Sequence, residues 1–112
     1  MCKLADFEKA VSLSLRETVS QVEKAMEGGS APARLIDQNE FSVKGIRVAV
    51  RVYEEAASSG LRRTQMTVTM ASDGKGTQVS ARTASSSRPF FFKKRQTAGE
   101  QALIDALQKV FP

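Results

Sequence analysis

The chain has 112 residues, 41% of them hydrophobic and 26% charged, with one cysteine, no histidine and no tryptophan. This length makes one small domain, able to bury a core without metal or disulfide staples. Without histidine, and with a single cysteine, one chain can build no Cys/His zinc centre, no Ser-His-Asp triad and no Cys-His dyad.

The net charge of +5 is unevenly spread. Residues 1–56 hold eight basic and nine acidic side chains, net −1, and residues 57–112 hold nine basic and three acidic, net +6. Such asymmetry is what an anion-binding surface presents. Near the amino end Lys3 and Asp6 interrupt any apolar run. No stretch is long enough for a secretory signal or a membrane span, so the expectation is a soluble, cytoplasmic chain. Cys2 has no intrachain partner and reads as a frayed terminal thiol.

In chain order, Leu4, Phe7, Val11, Leu15, Val22 and Met26 recur at intervals of three, four or seven. That stripe predicts an α-helix from Lys3 to Glu27, ended by Gly28, Gly29 and Pro32. Leu13 lies opposite the stripe, as a surface leucine or an oligomer contact. Ala33 to Asp37 reads as a short strand, with Asp37-Gln38-Asn39-Glu40 turning back into the next. There the period becomes two: Ile46, Val48, Val50 and Val52 alternate with Arg47, Ala49, Arg51 and Tyr53. The alternation assigns the valines to the core and the arginines to solvent. Met66, Val68 and Met70 form a second inward set, and Val79, Ala81 and Thr83 a third. Ser58-Ser59-Gly60 and Asp73-Gly74-Lys75-Gly76 supply the turns. After Ser85-Ser86-Ser87 come Phe90-Phe91-Phe92 and Lys93-Lys94-Arg95. Thr97 with Glu100 then fits a capping box for a last helix carrying Leu103, Ile104, Leu107, Val110 and Phe111.

The predicted architecture is α+β, a two-layer sandwich of order α-β-β-β-(β)-α. Two helices pack on one face of a three- or four-stranded antiparallel meander. The other face stays open and bears Arg47, Arg51, Tyr53, Arg63, Gln65, Thr67, Thr69, Gln78, Ser80 and Arg82. Met66 and Met70 could line a cavity between the layers, or form ordinary core.

Candidate anion- or partner-binding residues are Arg62, Arg63, Lys93, Lys94, Arg95, Arg47, Arg51 and Arg82, because guanidinium and ammonium groups bind phosphates by charge-assisted hydrogen bonds. No residue is nominated for catalysis. Glu54 and Glu55 are strand neighbours facing opposite ways and read as a solvated strand end. Gly74 and Gly76 sit in a hairpin rather than at a strand-to-helix junction. No Asp/Glu cluster has metal-ligand spacing, and no cofactor is implied. The leading expectation is a noncatalytic binding or protein-interaction module, able to form a homo-oligomer. The alternative is a nucleic-acid or polyanion binder.

Two resemblances bear on these readings. An α-β-β-β-α order with basic residues before the last helix resembles the double-stranded-RNA-binding domain, which implies phosphate contacts by Lys93, Lys94 and Arg95. The first helix is longer than that domain uses, and its Gly-Pro-x-His loop is missing. Gly45-Ile46-Arg47-Val48-Ala49-Val50-Arg51-Val52-Tyr53-Glu54, Phe91-Phe92-Lys93 and Thr97-Ala98-Gly99-Glu100-Gln101-Ala102-Leu103 resemble the small bacterial domain-of-unknown-function family 6054, over Phe41 to Phe111. The resemblance implies a compact cytosolic protein without an assigned activity. Lys94, Arg95 and the third phenylalanine depart from its pattern, so the basic cluster is not carried over as a family site.

Overall fold

The structure is a computed structural model that describes residues 7–28, 32–56, 63–85 and 98–112. Its elements run β1 (Phe7–Val11), α1 (Leu15–Gly28), β2 (Ala33–Val43), β3 (Ile46–Glu55), β4 (Thr64–Ser72), β5 (Thr77–Ser85) and α2 (Ala98–Val110). The α+β class and the antiparallel meander are as expected, with five strands rather than three or four. The described elements begin with a strand and place four strands between the two helices, which removes the likeness to the double-stranded-RNA-binding domain.

The helix expected from Lys3 is corrected to a strand, a break and a shorter helix. Phe7 and Val11 are four apart, a spacing that fits one face of a helix and equally one face of a strand. Here they point inward from β1 while Glu8 and Ala10 are exposed. Ser14 starts α1 through a capping box: its Oγ accepts from the Glu17 N–H at 3.1 Å, and the Glu17 carboxylate accepts from the Ser14 N–H at 3.1 Å. Leu13, expected on the surface, packs against the core. Its carbonyl accepts the Thr77 hydroxyl at 2.8 Å, which ties the start of α1 to β5.

The expected turn at Asp37-Gln38-Asn39-Glu40 is part of β2, which continues to Val43. The reversal falls on Lys44 and Gly45, with φ of 49° and 83°, the pair of left-handed residues that a type I′ hairpin requires. The β4–β5 turn forms as expected. Asp73 accepts from the backbone N–H groups of Lys75 and Gly76, and Gly74 has a φ of 96°.

The sheet order is β1-β5-β4-β3-β2, so β1 and β2 are the edges and α1 carries the chain from one edge to the other. Both helices lie on one face. Met66, Val68 and Met70 of β4 and Val79 and Ala81 of β5 meet Val22 and Met26 of α1 and Leu103, Ile104 and Leu107 of α2 in one buried cluster. The β4 and β5 alternations therefore match the expectation, and Met66 and Met70 are core.

The β3 alternation is the reverse of the expected one. Register pairs Ala49 with Met70, Arg51 with Val68 and Tyr53 with Met66, which places those three β3 residues under the helices. All three are buried. Ile46 is exposed, and Val48, Val50 and Val52 are half-buried on the open face. Both parities of β3 contain residues able to sit inside: Ala49 is small enough for a helix to approach, and Tyr53 brings a large apolar ring. The arginine between them decided the sequence reading, and its head group is neutralised from the neighbouring strand.

Gly76 allows β1 to approach the β4–β5 turn closely, since a Cβ there would lie 2.9 Å from the Val11 carbonyl oxygen. Gly76→Ala is expected to lower stability by about 1–3 kcal/mol, as overpacking against backbone does. Urea denaturation checks this, and an unchanged midpoint would show that β1 is free to shift.

Candidate functional site

The buried arginine organises one end of the molecule. Arg51 is 5% exposed. Its Nη2 donates to the Glu40 carboxylate at 2.6 Å and its Nη1 to the Val50 carbonyl at 3.2 Å. The Nε has no partner among the described residues. Glu40 reaches Arg51 because Gln38 and Arg51 are directly paired across β2 and β3, which puts Glu40 two residues along on the same face. The Arg51 hydrogen bond and charge, with Arg47 nearby, hold the Glu40 carboxyl below its ordinary range.

Beside this pair a groove of about 450 Å³ runs between α1 and the β2–β3 end of the sheet. Leu15, Val19 and Ala49 give it an apolar lining, and Arg16, Glu23, Glu40 and Arg47 give it charges of both signs. Further along β3, the Tyr53 hydroxyl is buried and lacks a partner among the described residues. Burial, then the Glu23 carboxylate, push its pKa up to about 12.

The open face divides into two halves. Thr67, Thr69, Gln78, Ser80 and Arg82 cover the β4–β5 side, as expected. On the β2–β3 side the hairpin end is apolar, with Phe41 paired with Val48 and Val43 with Ile46, while Val50 and Val52 of β3 lie opposite the polar Asn39 and Asp37 of β2. Strand β2 is exposed on both faces beyond Ala33. Every exposed large hydrophobic among the described residues, namely Leu35, Ile36, Phe41, Val43 and Ile46, belongs to β2 or to the first residue of β3. At the far end of the face, Glu54 is buried and accepts from Arg34 at 2.5 Å and Gln65 at 3.5 Å, with the Arg63 Nε at 3.8 Å. The Arg34 hydrogen bond holds its carboxyl below the ordinary range against the opposing effect of burial. Glu54 is thus an ion-paired hub and not the solvated strand end expected.

The candidate basic residues do not form one surface. Arg51, expected on the open face, is buried under the helices beside Glu40, and Tyr53 is buried with it. Arg47 lines the α1 groove on that same side. Arg82 is exposed on the opposite face, paired with Thr67, and Arg63 sits against Glu54. Arg62, Lys93, Lys94 and Arg95 lie outside the described residues, as does the Thr97 partner of the expected capping box. Glu100 is in the first turn of α2 and is buried. Sequence reasoning missed the β2 apolar surface. Its signal was Phe41 and Val43 leading into Lys44-Gly45, a hairpin pair, with Ile46 beyond.

Among the described residues there is no group of three His, Cys, Asp or Glu able to hold a metal. No described helix is long and apolar enough to cross a membrane.

Fold and surface together define an α+β protein whose antiparallel sheet is covered by helices on one face and, among the described residues, by nothing on the other. The chain belongs to the family of unknown function DUF6054, whose model matches residues 4–111. Comparison with curated proteins and with solved structures gave no match.

Tyr53 is the only tyrosine and the chain lacks tryptophan, so its ionisation can be followed alone by phenolate absorbance. The folded state is expected to titrate at about 12 rather than 10. The raised pKa means that folding favours the neutral phenol. The stability it contributes is whole below pH 10 and is lost as pH rises through about 12. A reversible midpoint near 10 in the folded protein would place Tyr53 in solvent.

Proposed function

We propose that this chain is a noncatalytic protein-interaction module that works through β2 and the apolar half of the open sheet face. The observation that carries the reading is the confinement of all exposed large hydrophobics among the described residues to one edge strand and the residue after its hairpin. Phe41, Val43 and Ile46 lie together on the open face at the hairpin end, and exposed apolar surface of that kind marks interaction sites in soluble proteins. An eleven-residue edge strand also offers unpaired backbone N–H and C=O groups to a further strand. Glu40 and Glu54 are each ion-paired and held ionised, which unfits these two as general acids near neutral pH.

The test is photo-crosslinking in living cells, with a benzophenone side chain replacing Phe41 or, as the comparison, Gln78 on the polar half of the same face. The reading predicts discrete adducts from position 41 and at most faint ones from position 78. No adduct from 41, or equal yields from both positions, would contradict it.

A further inference from the structure

The groove between α1 and the β2–β3 end of the sheet lies on the helix side, opposite the open face, so what it holds is independent of the interaction reading. At about 450 Å³ it has the size of a small-molecule site. Its charges do not cancel one another. Glu40 is paired across the strands with Ala49, one rung from both Arg47 and Arg51, yet its carboxylate is taken by Arg51 at 2.6 Å. Arg47 is left with no ion pair among the described residues. Arg16 is also without one. Val19 and Ser20 occupy the positions three and four residues on, where a helix would place a carboxylate partner, and Glu17 is engaged with the Ser14 N–H. Counting Arg51 behind Glu40, three guanidiniums stand against the carboxylates of Glu23 and Glu40, and one positive charge stays uncompensated.

The groove also has a direction. Glu23 is close enough to Tyr53 to act on its hydroxyl, and Tyr53 lies six residues beyond Arg47 on β3. Helix α1 therefore runs along β3 in the same sense, with Arg16 and Arg47 at one end of the groove and Glu23 at the other. The helix rises roughly 10 Å between Arg16 and Glu23. Leu15, Val19 and Ala49 supply the apolar lining.

We infer that this groove binds a small amphipathic monocarboxylate, its head between Arg16 and Arg47 and its apolar body along Leu15, Val19 and Ala49 toward Glu23. Guanidinium groups take carboxylates through charge-assisted hydrogen bonds, two at a time where the geometry allows. The single uncompensated charge matches a monoanion, and the carboxylates of Glu23 and Glu40 disfavour a phosphate dianion. A cationic head would meet the two arginines that lack ion pairs. Because Glu23 closes the far end with a charge, the body is limited to the span between it and the arginines.

The test is a titration of the full isotope-labelled chain with sodium octanoate at low salt, followed by backbone amide NMR. Saturable shifts are expected around Arg16, Val19, Arg47 and Ala49. Arg16→Gln and Arg47→Gln change exposed side chains and should keep the circular dichroism of the wild type, while each weakens octanoate by about tenfold. Octylammonium, the same body with the opposite charge, and acetate, the head without the body, should not saturate the groove over the same range. No saturable octanoate shifts there, or shifts centred instead on Phe41 and Val43 of the open face, would overturn the site. Octylammonium binding as tightly as octanoate would overturn the anionic head, and acetate binding as tightly would overturn the apolar body. An affinity unchanged in either arginine variant would overturn the placement of the carboxylate.

Discussion

The ion pair between Arg51 and Glu40 fixes which way β3 faces, and the rest of the surface depends on it. A guanidinium taken out of water needs a compensating charge and hydrogen bonds. Here a carboxylate on the neighbouring edge strand supplies the charge at 2.6 Å. With Arg51 so neutralised, Ala49 and Tyr53 can lie beneath the helices. Ile46, Val48, Val50 and Val52 are thereby committed to the uncovered face. The valines on that face are thus the other side of one contact, in which the arginine is buried and its carboxylate partner is at the edge. Such a pair is weak evidence for stability in itself, because desolvation offsets much of its attraction. Its consequence is orientation.

Strand β2 shows what the molecule leaves undone. Edge strands in soluble proteins are commonly short, charged, bulged or covered. At the other edge, β1 is only five residues long and carries Glu8 and Lys9. β2 has eleven residues, with apolar side chains at both ends and one bulge near its start. The helices do not extend over it, and only the outer flank of α1 comes near, leaving the groove. Among the described residues no further strand pairs with it.

Much of the fold was legible because its signals were local and unambiguous. Met66, Val68 and Met70 against threonines, Asp73-Gly74 at a turn, and the apolar stripe of α2 each admit one reading. Three places did not. Phe7 and Val11 satisfy helix and strand periods alike, although Ser14 with Glu17 three residues later already marked where the helix begins. Asp37 to Glu40 has turn chemistry, and only pairing with β3 holds it extended, whereas Lys44-Gly45 was the better hairpin signal. β3 carries apolar side chains on both parities, so the choice rested on where arginine goes, and that is set by a residue eleven positions earlier on another strand. The candidate surface changed with it: Arg82 stays on the open face, but the β3 part of that face carries valines once Arg47 and Arg51 lie on the helix side.

The orientation of β3 is open to a direct chemical measurement. In a Cys2→Ser background, Ala49→Cys and Val50→Cys place single thiols on opposite sides of the strand, and maleimide labelling of the folded protein reads which is accessible. The account predicts that the thiol at position 50 is modified in the native state and the one at 49 only after denaturation. Rapid native labelling at 49 with protection at 50 would contradict it, turning the valines inward and Arg51 out to solvent.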